Sequence, residues 1–106
     1  MFEEWKQEAV DYVLRHLDRR EFRVFSARLP RMLCELADDH LNWLMEQGVI
    51  DENGESTEAD YDEDELLEAL LTRYLARHPE DEEHELFIAS LIDRYLALQE
   101  EYNEDR

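Results

Sequence analysis

The chain has 106 residues, 43% of them apolar, with two glycines, two prolines and a formal net charge of −19. That length and apolar content suit a single domain, residues 1–106, around one hydrophobic core, and exclude a disordered or collagen-like polymer. So negative a field repels DNA, RNA and anionic membrane surfaces and attracts basic proteins or cations, so the expected partner is a basic protein and not nucleic acid itself.

The charge is unevenly placed. Residues 1–34 hold 7 Lys/Arg against 6 Asp/Glu, whereas residues 35–106 hold 4 against 24. The single cysteine, Cys34, cannot form an internal disulfide, which suits a reducing cytoplasm. The opening "MFEEWKQEAVDYV" has acids where a signal peptide needs a basic and then an apolar region. No apolar run approaches the roughly 18 residues of a membrane span. The expectation is a cytoplasmic protein without a membrane partner.

In chain order, Phe2, Trp5, Ala9, Val10, Val13, Leu14 and Leu17 recur at three- and four-residue steps, predicting a helix over 3–17. In "LDRREF", Asp18 and Glu21 fit a capping box and Leu17 and Phe22 a hydrophobic staple, predicting a short second helix over 19–28. One helix running from 3 to 28 is the competing reading. Pro30 suits the first turn of a helix over 30–47, with Leu33, Leu36, Ala37, His40, Leu41, Leu44 and Met45 inward. Gly48 then reads as a left-handed residue past the helix end, with Val49 folding back on Leu44.

Residues 51–60 carry a turn signal at Asn53-Gly54 and no apolar periodicity, so they form an acidic loop. Asp62 and Glu65 fit a second capping box, with Tyr61 and Leu66 as its staple, opening a helix over 62–77. Acids there complement the helix dipole. Pro79 ends that helix at His78 and opens another over 80–103, with Leu86, Ile88, Leu91, Ile92, Tyr95, Leu96, Leu98 and Tyr102 inward. The segments "LLTRYLA" (70–76) and "LIDRYLA" (91–97) look alike because both present similar apolar faces. The fold class is all-α, a compact bundle of four to five helices.

Few constellations carry chemistry. Neither register of the 51–60 loop places its glycine and oxygen ligands as an EF-hand requires, leaving only an irregular cation site from Asp51, Asn53, Glu55 and Asp60. The nearest approach to a di-iron motif is Asp81-x-x-His84, once. His40 reads as a hydrogen-bonded core histidine and Cys34 as an inert thiol on an apolar face. Ser26 and Ser90 lack the glycines of a nucleophile elbow, and no glycine-rich phosphate loop is present. No catalytic residue, metal or cofactor is expected, and the chain is not expected to be an enzyme. Arg15, Arg19, Arg20, Arg23, Arg28 and Arg31 read as partners for the chain's own acids more readily than as a phosphate site.

The acids are the feature furthest from ordinary composition. Beyond the caps, Asp51, Glu52, Glu55, Glu58 and Asp60 line the loop, and Glu80, Asp81, Glu82, Glu83 and Glu85 open the last helix. These ten are the candidate partner-binding residues. Glu100, Glu101, Glu104 and Asp105 follow where the helix dipole disfavours acids. Helical carboxylates three or four residues apart stand about 5–6 Å apart, close to the phosphate spacing along one strand. The leading expectation is therefore an acidic interaction protein that mimics nucleic acid and blocks a DNA- or RNA-binding protein. Small anti-restriction and anti-CRISPR proteins work on this principle, and the chain resembles them in charge and size. The alternative is an adaptor binding through an apolar face marked by Trp43, Tyr74 or Tyr95, with the acids serving solubility.

Overall fold

The computed structural model describes residues 2–18, 20–51, 55, 57 and 59–104. Four α-helices are present among them: α1 (Phe2–His16), α2 (Leu29–Glu46), α3 (Glu63–Arg77) and α4 (Glu85–Glu104). Two 3₁₀ turns, Ser26–Arg28 and Pro79–His84, introduce α2 and α4. Each helix packs on the next, and α4 closes on α1. Val13, Phe22, Leu36, Leu70, Ile92 and Tyr95 are among the side chains that all four sides bury in one apolar cluster. No helix among the described residues is long and apolar enough to cross a membrane.

The all-α bundle is as the periodicity predicts, with four α-helices in place of the fifth that "LDRREF" suggested. Of the segment predicted as a helix over 19–28, residues 20–28 run as turns, ending in the 3₁₀ turn at Ser26–Arg28, and α1 ends at His16, so the continuous helix to residue 28 is absent too. Asp18 does cap, but what it caps is a turn: its carboxylate accepts from the Arg20 N–H at 3.0 Å and its carbonyl from Glu21 at 3.2 Å. Phe22 and Phe25 are both buried, and turns bring them inward at a spacing a helix would also satisfy. Local capping chemistry could not separate the two outcomes.

The ending of α2 follows the sequence closely. Gly48 has φ +73°, its N–H donates to the Met45 carbonyl at 3.1 Å, and the Val49 N–H donates to Leu44 at 2.9 Å. These are the two bonds of a Schellman ending. At the start of α3, Asp62 accepts from the Asp64 N–H at 2.8 Å, one residue earlier than a capping box would place the bond. The Tyr61 ring stands edge-on to Trp43 at 5.7 Å and lines a small cavity with Leu66.

The last helix differs in phase. Residues 79–84 are 3₁₀, and α geometry begins only at Glu85. The buried positions of α4 are Ile88, Leu91, Ile92, Tyr95 and Gln99. Leu86 lies two residues before Ile88, roughly 200° around the helix, and is 86% exposed. It was expected inward. Trp43, Tyr74 and Tyr95, the expected markers of an apolar docking face, are instead core residues.

Two stability outcomes follow. A Cβ at Gly48 meets no atom within 4 Å, so Gly48→Ala should cost only the left-handed backbone penalty, about 1–2 kcal/mol in urea unfolding. Gln99 is 2% exposed, and neither side-chain polar atom has a hydrogen-bond partner. Gln99→Met should therefore stabilise the fold, by about 1 kcal/mol. Destabilisation would mean that the amide is satisfied in solution.

Candidate acidic interface

The chain's cations are occupied first in holding carboxylates near the core. Arg28, in the first 3₁₀ turn, reaches Asp81 in the second and binds it through both guanidinium nitrogens; the Nη1–Oδ1 distance is 3.2 Å. The Tyr74 hydroxyl on α3 donates to the same carboxylate at 3.3 Å. Asp81 is 3% exposed. The Arg28 hydrogen bonds hold its carboxyl below the usual range against the opposing effect of burial, and burial with the nearby Asp81 charge pushes Tyr74 up to about 12.

A second junction lies beside the first. Arg77 forks onto Asp39 of α2 at 2.8 and 2.6 Å, and His78 Nε2 stands 3.0 Å from Glu35. Further ion pairs join Lys6 to Asp38 at 3.2 Å and Arg73 to Glu46 at 2.7 Å. Arg94 lies 4.0 Å from Glu21. The reading of arginines as partners for the chain's own acids thus holds for Arg28, and Arg15 donates to the Asp11 carbonyl at 3.4 Å. Arg20, Arg23 and Arg31 are exposed and have no ion-pair partner among the described residues. Arg19 lies outside them.

His40 is the buried histidine the pattern predicts. Its Nδ1 is hydrogen-bonded to the Tyr95 hydroxyl at 3.1 Å, inside the bundle between α2 and α4. Burial pushes the imidazole down to about 4 and the Tyr95 hydroxyl upward. Both side chains are neutral at physiological pH.

The exposed acids gather at two ends of the α3–α4 pair. At one end, Glu63 at the start of α3 and Glu100 near the end of α4 line a cavity of about 70 Å³ together with His40, Tyr61, Leu66 and Leu96. Desolvation, then Glu63 and Glu100, raise the Tyr61 hydroxyl above its usual value. Asp64, Glu65, Glu68 and Glu101 are exposed nearby in the sequence of the same two helices. None of these six acids has a Lys or Arg partner among the described residues. At the other end stand Glu80, Glu82, Glu83 and Glu85, about 22 Å away along α4, from the helical rise between Glu85 and Glu100.

The described members of the predicted partner-binding set do not form one patch: Asp60 precedes α3, whereas Glu80, Glu82, Glu83 and Glu85 stand at the other end of the α3–α4 pair. Asp81 is buried in its ion pair and presents no charge to a partner. Glu80 approaches His78 at 3.4 Å and Glu83 approaches His84 at 3.5 Å, while Glu82 and Glu85 are exposed without an ion-pair partner among the described residues. Asp60 is exposed and leads into Tyr61. Asp51 is used within its own loop: its carboxylate accepts from the Glu55 N–H at 3.0 Å, and its N–H donates to the Glu55 carbonyl at 2.9 Å. Glu52 and Glu58 lie outside the described residues, as does Asn53 of the irregular cation site. Sequence reasoning assigned Glu63 and Glu65 to helix capping and left Glu100 and Glu101 out of the candidate set. Their closeness depends on α3 and α4 packing antiparallel, which no local pattern displays.

One cluster has ligand-like spacing: single donor atoms of His78, Glu80 and Asp81 lie within 4.8 Å of one another. The Arg28 guanidinium occupies the Asp81 carboxylate there, and its charge opposes a cation. The Asp81-x-x-His84 pair is not part of it; His84 instead stacks edge-on with Phe25 at 6.2 Å.

Acid should destabilise the bundle through His40. Its folded value of about 4 lies below the ordinary 6.5, so between those values the unfolded chain binds a proton that the folded chain refuses. Stability is present above pH 6.5 and falls as pH drops through that window, by about 2 kcal/mol between pH 7 and 5. Asp81 adds a loss of the same sign at lower pH, because its folded value is depressed. His40→Gln should flatten the slope of urea stability against pH between 7 and 5 relative to the parent chain. An unchanged slope would mean that the imidazole can take up a proton in the folded protein.

In comparisons with protein families, with curated proteins and with solved structures, the chain matches none.

Proposed function

We propose that the chain is a non-catalytic, cytoplasmic interaction module whose acidic end, built by the start of α3 and the last turns of α4, binds a basic protein. The basic groove of a nucleic-acid-binding protein fits that surface best, with the carboxylates standing where phosphates would. The observation that carries this reading is the placing of charge. Arg28 and Arg77 are engaged with the buried carboxylates of Asp81 and Asp39, and Arg73, which lines a cavity with Glu65 and Glu68, pairs with Glu46, while Glu63, Asp64, Glu65, Glu68, Glu100 and Glu101 remain exposed with no Lys or Arg ion-pair partner among the described residues.

Helix chemistry accounts for only part of that set. Glu63, Asp64 and Glu65 occupy the first turn of α3, where the dipole favours them. Glu100 and Glu101 lie in the last turns of α4, whose final turn carries no basic residue, and there the dipole opposes them. Their repulsion works against folding, so selection for a partner explains their position better than selection for stability does. Asp64 with Glu68, and Glu65 with Glu68, have the four- and three-residue spacing that sets carboxylates about 5–6 Å apart.

The test uses the immobilised chain in a nuclease-treated lysate, eluted in sodium chloride steps, beside Glu68→Lys/Glu100→Lys/Glu101→Lys. Two of those changes favour the α4 dipole, so the variant should fold. The expected result is a discrete nucleic-acid-binding protein released by salt, displaced by competing DNA or RNA, and bound at least about tenfold more weakly by the variant. Retention through high salt, or equal binding by the variant, would contradict the proposal.

A further inference from the structure

The cavity between the start of α3 and the end of α4 is built from three directions. Tyr61, Glu63 and Leu66 come from the approach to α3 and its first turn, Leu96 and Glu100 from α4, and His40 from α2. Helical spacing explains the pairs. Leu66 follows Glu63 by three residues and Glu100 follows Leu96 by four, so each helix offers one leucine and one carboxylate on a shared face. The Tyr61 ring is held edge-on to Trp43 at 5.7 Å. Both carboxylates act on its hydroxyl, which burial and then their charge raise above the usual value.

His40 adds an observation independent of the acids. It is 7% exposed and lines the cavity. Its Nδ1 is taken by the Tyr95 hydroxyl at 3.1 Å, whereas Nε2 has no hydrogen-bond partner among the described residues. Burial keeps the ring neutral at physiological pH, so it does not repel a cation. With Nδ1–H donated to the Tyr95 oxygen, Nε2 offers its lone pair to a donor in the cavity. The volume of about 70 Å³ is far below the roughly 300–1,000 Å³ of a site for a whole small molecule, and it suits the tip of one side chain. The walls choose which. Two leucines and a phenol ring accept a methylene stem and the charge at its end. Glu63 and Glu100, without a Lys or Arg ion-pair partner among the described residues, call for that charge to be positive.

We propose that this cavity takes an alkylammonium group, the end of a lysine side chain presented by the basic partner, with its stem between Leu66 and Leu96 and its charge held by Glu63 and Glu100. The inference rests on the reading of this end as a surface for a basic protein and adds an anchor to it. One inserted side chain fixes the register of a partner, which a spread of exposed carboxylates does not.

Titration with n-butylammonium chloride, against sodium chloride at equal concentration, tests it by NMR of the Leu66 and Leu96 methyl groups and the His40 ring. The expected result is a saturable shift at those groups with the amine and none of that form with sodium. Leu96→Trp fills the cavity and leaves every charge in place, and Leu96 is only half-buried, so the variant should fold. It should bind the amine at least about tenfold more weakly, as should Glu63→Gln/Glu100→Gln, which keeps the shape and removes the charge. In the lysate capture, Leu96→Trp should also hold the basic partner at least about tenfold more weakly. Shifts no different from those with sodium, amine binding indifferent to both variants, or equal capture of the partner by Leu96→Trp would each overturn the inference. The last result leaves the acidic-surface reading standing, because the charges are intact. A parent chain that binds the amine and captures no basic protein would contradict that reading instead, and would assign the cavity to a free amine.

Discussion

Arg28 and Asp81 join the two short 3₁₀ turns that precede α2 and α4, and the rest of the bundle is arranged around that junction. The turn at Ser26–Arg28 directs the chain into α2, and the turn at Pro79–His84 directs it into α4. Asp81 could not be buried as a charge without a cation and further hydrogen bonds, and Arg28 with Tyr74 supplies both. Phe22 and Phe25 are consequently held against the same end of the core, although no α-helix carries them. The chain has only 11 Lys and Arg against 30 Asp and Glu, so each cation committed to such a junction leaves the acidic surface less compensated.

That shortage gives the molecule its electrostatic shape. Arg28 and Arg77 hold α3 and the second 3₁₀ turn to the elements facing them, while the start of α3 and the end of α4 are left as an uncompensated acidic end. The opposite end, beside the Arg28–Asp81 junction, carries Glu82 and Glu85, exposed with no ion-pair partner among the described residues.

Much of this architecture was legible in the sequence where local chemistry and long-range packing agree. Gly48 ended α2 because only a residue free to take φ +73° completes that turn, and His40 was inward because it falls on the apolar stripe of α2. The two similar segments also behave alike in the fold: Tyr74 and Tyr95, at matching positions, both send a hydroxyl to a buried polar group. What the sequence did not display depends on phase and on contacts between distant residues. Leu86 stands about 200° around α4 from Ile88 and so faces outward, and Asp81, one acid in a run of acids, is a core residue because Arg28, 53 positions away in sequence, reaches its carboxylate. The candidate site was divided for the same reason. Asp60 and Glu80, on either side of α3, stand at its two ends, whereas Glu63 and Glu100 line one cavity.

On the proposed reading, the exposed acids burden the fold electrostatically and association is their use. The most direct measurement is the urea stability of the parent chain as sodium chloride is raised from low to physiological concentration and beyond. Screening of uncompensated repulsion over about 8–10 Å should raise stability steadily with salt. Stability that stays flat or falls would show that ion pairs within the bundle balance the surface charge, and the acidic end would then be ordinary solvation.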